Sequence, residues 1–153
     1  MCDNLYSLSQ ELDRVIHPYC LESAIPVVKT YNGSDWKSFC VEDSRRYKKI
    51  KVPIMETGQD FEIFIITWKP GQQSPIHDHA TFGCILKVLQ GELVESLFTE
   101  ALTLKKQTRL FTGSIGFMKN EIGVHRVQNN SDITAVSLHV YAPSNHKMKI
   151  FTS

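Results

Sequence analysis

The sequence has no long apolar segment, no strong charge of either sign and no repeated or compositionally biased stretch. Of its 153 residues, 42% are hydrophobic and 22% are charged, and the net charge is +1. No apolar run approaches the ~20 residues needed to span a bilayer, and the charge gives no reason to expect binding to nucleic acid or a membrane. The amino terminus has no basic and apolar regions typical of a signal peptide, which predicts a cytoplasmic protein.

Cysteine is also scarce, and the four cysteines form no C-x2-C pair. They are spread along the chain as Cys2, Cys20, Cys40 and Cys84. In a reducing compartment we expect them to remain thiols, because a disulfide framework belongs to secreted proteins. The same spacing disfavours a structural zinc site.

The first part of the chain, about residues 1–45, predicts helices. An amphipathic helix is expected from Asn4 to Ile16, with Ser7 and Gln10 as a capping box near its start. Ser34 is expected to cap a short helix that ends at Phe39. The apolar stripe of the first helix consists of Leu5, Leu8, Leu12, Val15 and Ile16.

The remainder, about residues 46–153, predicts short strands separated by turns. Two of the strands are expected to form a hairpin across Gln90-Gly91-Glu92. Many short strands of this kind are typical of a small sandwich or barrel, and we expect residues 1–153 to form a single, monomeric domain. The predicted strands are 61–68, 84–89, 93–98, 114–118, 124–129, 135–141 and 147–152.

Histidines at regular spacing give the clearest functional signal. The sequence reads Gly71-x5-His77-x-His79-x4-Cys84-x6-Gly91, followed later by Gly123-Val124-His125. Two histidines one residue apart on a strand face the same side, and a third from a distant strand would complete a three-nitrogen metal site with open positions. Imidazole suits iron, copper, zinc or nickel, so the ligands alone do not select the metal.

This spacing resembles the cupin signature, in which a glutamate follows the paired histidines. Cys84 stands where that glutamate is expected. Three histidines, a cysteine in place of the glutamate, and a later Ser137-x-His139-x-Tyr141 resemble the cysteine dioxygenase family. The resemblance runs from about residue 47 to residue 143.

The resemblance implies a fold, a metal and a reaction. The fold is all-β, a small cupin (jelly-roll) β-barrel with short N-terminal helices. The metal is Fe(II), held by His77, His79 and His125. The reaction converts L-cysteine and O2, the expected partners of the protein, to cysteine sulfinic acid. Three neutral imidazoles leave the metal its full charge, which favours a thiolate as the incoming ligand.

The resemblance also implies roles for residues around the metal. Cys84 and Tyr141 match the residues that form a thioether in the family. Ser137, His139 and Tyr141 alternate on one strand and therefore share a face, where the family pattern makes them a hydrogen-bonded relay that orients the phenol. Trp68 matches a tryptophan beside the substrate site, although it would serve equally well as core filler.

The sequence departs from the family at the arginine that holds the substrate carboxylate. Alignment on Tyr47 places Lys49 there, whereas counting back from Phe61 places Lys51 there. Lysine and arginine are not interchangeable at a bidentate site. We therefore predict Lys49 as the carboxylate partner and leave Lys51 as the alternative.

Three other functions remain open from the sequence. The first is a dioxygenase acting on another small thiol, such as 3-mercaptopropionate, which the missing arginine favours. The second is a non-catalytic metal-binding cupin, which does not need an oriented phenol. The third is a zinc or manganese isomerase, which the missing glutamate disfavours.

Overall fold

The amino-terminal part is helical, as predicted. The computed structural model describes residues 2–16, 20–53 and 60–152. Helix α1 spans Leu5–Val15 and helix α2 spans Ile25–Thr30, with 3-10 helices at Leu21–Ala24 and Asp35–Phe39. No helix in these three ranges is long and apolar enough to span a membrane.

The predicted capping box of the first helix is wrong, whereas Ser34 is the N-cap residue of the 3-10 helix Asp35–Phe39, as predicted. Helix α1 begins at Leu5, so Asn4 is the N-cap, and its side chain accepts a hydrogen bond from Ser7 N at 2.7 Å. The capping box therefore pairs Asn4 with Ser7 rather than Ser7 with Gln10. The side chain of Ser34 makes no cap bond to the following 3-10 helix.

Within the described ranges, ten strands follow, and they form two antiparallel five-stranded sheets. Sheet 1 has the order β1-β2-β9-β4-β7, and sheet 2 has the order β10-β3-β8-β5-β6. The strands are β1 Lys48–Lys51, β2 Glu62–Trp68, β3 Ile76–His77, β4 Gly83–Gln90, β5 Glu92–Phe98, β6 Leu104–Phe111, β7 Ile115–Met118, β8 Val124–Gln128, β9 Ala135–Ala142 and β10 Ile150–Phe151.

The alternation of side chains along sheet 1 separates two cores. On one face, Ile63, Ile85 and Val140 pack with the amino-terminal helices. On the other face, Ile66 and Leu86 pack with residues of sheet 2. Because successive strand residues point to opposite faces, the residues next to them on the inner face, including His139 and Tyr141, are directed towards sheet 2.

Lys87 fixes helix α2 against the outer face of sheet 1. Its Nζ donates to the carbonyl oxygens of Val28, Lys29 and Tyr31 at 3.2, 3.1 and 2.6 Å. These carbonyls lie at the end of helix α2, where acceptors outnumber the remaining backbone donors, although that of Val28 also accepts from the backbone N–H of Tyr31 at 3.2 Å. Burial lowers the pKa of Lys87, and the three acceptors offset the loss of water around its charge.

The predicted hairpin across Gly91 is wrong. Strands β4 and β5 are consecutive but lie in different sheets, so the turn carries the chain from one sheet to the other. Gly91 adopts φ 75°, and a Cβ there would lie 3.2 Å from Ala135. Glycine is therefore required at this position for both conformation and space.

Candidate metal centre

Three buried histidines meet on the inner face of sheet 2. His77 on β3 lies directly opposite His125 on β8 in the antiparallel register, and His79 follows two residues after His77. One ring nitrogen from each histidine lies within 4.8 Å of the others. The predicted three-histidine cluster therefore exists, and it is the kind of group that can hold a metal ion.

The hydrogen bonds of two of these rings direct their other nitrogens towards a common point. Nδ1 of His77 lies 2.8 Å from the carbonyl oxygen of Pro75, which can only accept. Nδ1 of His125 lies 2.8 Å from Oε2 of Glu95. Such partners hold each ring in the orientation and tautomer that leave Nε2 available for a metal.

The remaining nitrogens show why a metal ion fits. Nε2 of His77 and Nε2 of His125 are 3.0 Å apart, and because both Nδ1 atoms face oxygen acceptors, both Nε2 atoms present lone pairs to one point, where a metal would accept them. Both ring nitrogens of His79 are buried without a hydrogen-bond partner among the described residues. Burial lowers the pKa of His77 to about 3 and that of His79 to about 2, so both rings are neutral and able to coordinate.

A chain of hydrogen bonds crosses the inner face of sheet 1, opposite the histidines. Nε1 of Trp68 donates to Oγ of Ser137 at 2.9 Å, and that oxygen lies 2.8 Å from Nε2 of His139. Nδ1 of His139 lies 3.4 Å from the hydroxyl of Tyr141. Burial holds the pKa of His139 well below its usual value, so the ring carries a single proton.

One end of this chain has a fixed direction, because an indole N–H can only donate and Ser137 therefore accepts from Trp68. In the tautomer in which Ser137 donates to Nε2 of His139, the single proton of the ring is on Nδ1 and directed at the oxygen of Tyr141. The phenol hydrogen is then free to donate to another group.

Cys84 lies directly opposite Tyr141 in the β4–β9 register. Its Sγ is 3.9 Å from Nδ1 of His139, the same atom that the Tyr141 hydroxyl approaches. Burial raises the pKa of Cys84 above its usual value, which keeps the sulfur protonated. The structure therefore brings these two residues of the predicted crosslink together.

The structure distinguishes the two lysines that the sequence left as alternatives. Nζ of Lys49 lies 4.2 Å from the ring centre of Phe64 and 4.7 Å from that of Tyr141. Among the described residues, it has no carboxylate or hydrogen-bond partner. Lys51 instead pairs with Oε1 of Glu62 at 3.2 Å, and its side chain is half exposed.

A cavity of about 300 Å³ opens beside this group. Its wall includes Lys49, His77, His79 and Tyr141. Trp68 is buried and reaches only a smaller inner space of about 20 Å³. The structure thus places Lys49 at the larger cavity and Trp68 behind Ser137.

Asp78 points away from the two histidines beside it in sequence. Its Oδ1 accepts hydrogen bonds from the backbone N–H of Lys149 at 2.8 Å and from the His146 ring at 3.0 Å. These bonds hold the carboxy-terminal segment, including Met148, at the mouth of the cavity. Asp78 therefore has a structural role, although it lies between two of the clustered histidines in sequence.

Sequence reasoning missed Glu95. Glu95 is two residues from Leu93 and two residues from Leu97 on strand β5, so it shares the inner, otherwise apolar face of the strand with them. A carboxylate at such a position needs a partner because burying an unpaired charge is costly. A glutamate on an apolar strand face was therefore a signal of a buried partner in the sequence. The partner itself, His125, is thirty residues away, and only the fold brings it close.

Two facing antiparallel sheets with a buried three-histidine cluster between them define a double-stranded β-helix, or cupin, protein with a metal-capable site. The fold is similar to that of a Klebsiella pneumoniae protein with a double-stranded β-helix domain (TM-score 0.62, 21% identity, 76% of this chain and 94% of that chain). The predicted all-β cupin fold is confirmed.

The sequence profile of cysteine dioxygenase type I matches residues 21–153, and the chain belongs to this family. It is 34% identical to cysteine dioxygenase type 1 of Danio rerio over 128 residues, covering 78% of this chain and 63% of that protein. It is 32% identical to the Homo sapiens protein over 132 residues, covering 80% and 65%. The chain thus spans less than two thirds of the length of these two relatives.

Proposed function

We propose that this protein is an Fe(II)-dependent thiol dioxygenase that converts L-cysteine and O2 to cysteine sulfinic acid. The observation that carries the proposal is a buried three-histidine cluster, without a carboxylate in the cluster itself, facing an oriented tyrosine across a cavity. The reaction balances without a further reductant, because both atoms of O2 are transferred to sulfur and the thiol supplies the four electrons.

His77, His79 and His125 are the proposed metal ligands. Fe(II) held there would lower the pKa of a bound thiol and supply the redox chemistry by which O2 reacts with it. The two neutral imidazoles of His77 and His79 add no negative charge, so an incoming anion remains favoured. The hydrogen bonds from Nδ1 of His77 and of His125 keep their rings in position for this role.

Tyr141 is the proposed hydrogen-bond donor to the reacting molecules. The chain from Trp68 through Ser137 and His139 leaves the phenol hydrogen free, and Tyr141 lines the cavity. Burial raises the pKa of Tyr141 well above its usual value, so the phenol remains a donor at neutral pH. Ser137 and His139 act through Tyr141 by fixing its orientation.

Lys49 is the proposed partner of the substrate carboxylate. Lys49 is an exposed residue of β1 whose ammonium lines the cavity and lies over the rings of Phe64 and Tyr141. Burial lowers the pKa of Lys49 because it removes water from around the ammonium. An incoming carboxylate would stabilise the charged ammonium in place of that water. Lys51 is a weaker candidate because Glu62 already pairs with it.

We also propose a thioether between Cys84 Sγ and the ring of Tyr141. The bond forms with loss of the thiol hydrogen and one ring hydrogen, and O2 is the oxidant that accepts these two hydrogens. Support comes from the direct cross-strand pairing of the two residues and their common approach to His139.

A second candidate substrate is 3-mercaptopropionate, which has the same carboxylate but no amine. Lysine at position 49 favours this second substrate. A lysine ammonium is a single mobile charge, so it discriminates between carboxylate substrates less strictly than the bidentate arginine of the family. Both candidates are therefore included in the experiment.

The proposal is tested by loading the protein anaerobically with Fe(II) and measuring oxygen uptake with L-cysteine, 3-mercaptopropionate and cysteamine. We expect about one Fe(II) per chain and conversion of cysteine to its sulfinic acid. Replacing His77, His79 or His125 by alanine should weaken iron binding and remove most of the activity. Full activity of His125→Ala would contradict the assignment, and no sulfinic acid from any of the three thiols would contradict the function.

A further inference from the structure

We propose that Glu95 is a positioning residue that sets the charge of the metal centre through His125. The inference rests on the proposed metal site, and it assigns a role to a residue outside the three-histidine cluster. Among the described residues, its carboxylate forms a hydrogen bond only with the side of His125 that faces away from the metal site. It would therefore act on metal affinity and redox potential and not on the substrate directly.

The contact is short and well enclosed. Oε2 of Glu95 lies 2.8 Å from Nδ1 of His125, and the two side chains are 13% and 4% exposed. Strand β5 pairs with β8 so that Glu95 lies opposite Val127 and Leu97 lies opposite His125. The carboxylate thus reaches the ring diagonally from a neighbouring strand, within the rigid part of sheet 2.

Space for the carboxylate is provided from the opposite sheet. A Cβ built on Gly116 would lie 3.5 Å from Oε1 of Glu95 and 3.9 Å from Oε2. The carboxylate therefore faces the Gly116 position of β7, where an added Cβ would meet it at ordinary van der Waals distance, and its side chain is only 13% exposed. A charge held in this way interacts strongly with its hydrogen-bond partner.

The three histidines differ in what supports them. His77 donates to a neutral carbonyl of Pro75, and His79 has no partner on either nitrogen among the described residues. Only His125, of these three, is backed by a carboxylate. A hydrogen bond to a carboxylate makes an imidazole a more basic ligand than a hydrogen bond to a carbonyl.

Glu95 supplies a negative charge that the metal centre would otherwise lack. The glutamate of the cupin signature is absent, because Cys84 occupies its place. Glu95 restores one negative charge behind a ligand rather than on the metal, so the coordination positions needed by substrate stay open. The centre would then bind the divalent ion more firmly than three unsupported imidazoles, while still accepting a thiolate.

Two substitutions separate the charge from the hydrogen bond. Glu95→Gln keeps an oxygen that can accept from Nδ1 of His125 but removes the charge, whereas Glu95→Ala removes both. Loss of such a supporting group weakens metal binding by about 10–100-fold. We expect about 10-fold for Glu95→Gln and a larger loss for Glu95→Ala.

Glu92→Gln is the matched control. Glu92 is on the same strand, carries the same charge and pairs at the surface with Arg109 at 2.9 Å, far from any contact with His125. Cobalt(II) affinity is measured for all variants by competition with a chelator, together with the visible spectrum of bound cobalt and the reduction potential of the iron-loaded protein. Circular dichroism of the metal-free variants checks that they fold.

The proposal predicts weaker cobalt binding, an altered cobalt spectrum and a raised iron potential for Glu95→Gln, with Glu92→Gln unchanged. Wild-type affinity and potential in Glu95→Gln and Glu95→Ala would overturn it, as would equal changes in the Glu92→Gln control.

His125→Ala separates this failure from failure of the proposed function. If His125→Ala binds cobalt as tightly as wild type, the metal site itself is wrong. If only the Glu95 variants are unaffected, the metal site stands and the role of Glu95 is wrong.

Discussion

Replacing Lys49 by methionine would remove a charge from the cavity while keeping most of the contacts of the side-chain stem. In the structure, the ammonium lies 4.2 Å from the Phe64 ring centre and 4.7 Å from that of Tyr141. A methionine of similar length can occupy the same space and pack against both rings. The substitution therefore tests the charge and leaves the aromatic wall in place.

The magnitude follows from the surroundings of the ammonium. Two unit charges about 4 Å apart interact by about 4 kcal/mol at an effective dielectric constant of about 20. Removing one partner of a desolvated pair costs about 2–5 kcal/mol. Because the cavity is open to solvent, we take the lower end of that range, and ~2 kcal/mol corresponds to a ~30-fold rise in KM for L-cysteine.

The assay compares two thiols that differ only in the carboxylate. Oxygen uptake is measured with L-cysteine and cysteamine for wild type, Lys49→Met and Lys49→Arg, and for Lys51→Met as the matched control. Lys51 faces the same side of β1 but is already paired with Glu62. We expect Lys49→Met to raise KM for cysteine alone, Lys49→Arg to keep or improve activity, and Lys51→Met to have little effect.

The outcome is decided by comparing the change in KM for L-cysteine with the change in KM for cysteamine. If Lys49→Met weakens the use of cysteine and cysteamine equally, then Lys49 does not hold the carboxylate. If Lys51→Met instead produces the cysteine-specific effect, the carboxylate partner is Lys51. If the unmutated protein prefers cysteamine over cysteine, the assignment of cysteine as substrate fails.

Three further substitutions test separate parts of the structure. Cys84→Ser should abolish a faster-migrating, reductant-resistant species on a denaturing gel and lower activity without eliminating it, whereas a gel pattern identical to wild type would refute the thioether to Tyr141. Ser137→Ala should lower kcat with little change in KM or metal content, because it removes the hydroxyl that contacts Trp68 and His139 and so loosens the orientation of Tyr141, and an unchanged kcat would contradict the relay. Lys87→Met should lower the free energy of unfolding by ~2 kcal/mol, measured by urea denaturation, because it removes the ammonium that donates to three carbonyls at the end of helix α2, and an unchanged midpoint would show that water replaces the ammonium.

Much of the fold could be predicted because the signals were local. Helix α1 was predicted from Asn4 to Ile16 and spans Leu5–Val15, since its apolar stripe is complete. The strand that carries Ser137, His139 and Tyr141 was also predicted, because β-branched and apolar residues alternate with them. The three histidines were identified by spacing alone, and the structure brings them together.

The strands that were missed have little local signal. Strand β6, Leu104–Phe111, is an edge strand of sheet 2 that is mostly exposed, so it has no buried face to impose alternation. Strand β3 has only two residues and owes its position to β8 and β10. Helix α2 is six residues long with a proline in its first turn, too short to show a helical period.

The remaining errors concern contacts between distant residues. Gly91 was interpreted as a hairpin turn because sequence neighbours usually pair, but the sheet order shows that it connects two sheets. The choice between Lys49 and Lys51 depends on Glu62, which lies on the neighbouring strand β2 and forms an ion pair with Lys51. Glu95 was missed for the same reason, because its partner His125 lies on another strand.

The most direct test of the central claim is to follow both oxygen atoms of isotopically labelled O2 into the product. Iron-loaded protein is supplied with L-cysteine and 18O2, and the sulfinic acid is analysed by mass spectrometry, with His79→Ala treated identically. A dioxygenase acting at the three-histidine site predicts that both oxygens of the sulfinate are labelled and that His79→Ala forms little product. Product with one labelled oxygen, disulfide without sulfinate, or equal yield from His79→Ala would contradict the account.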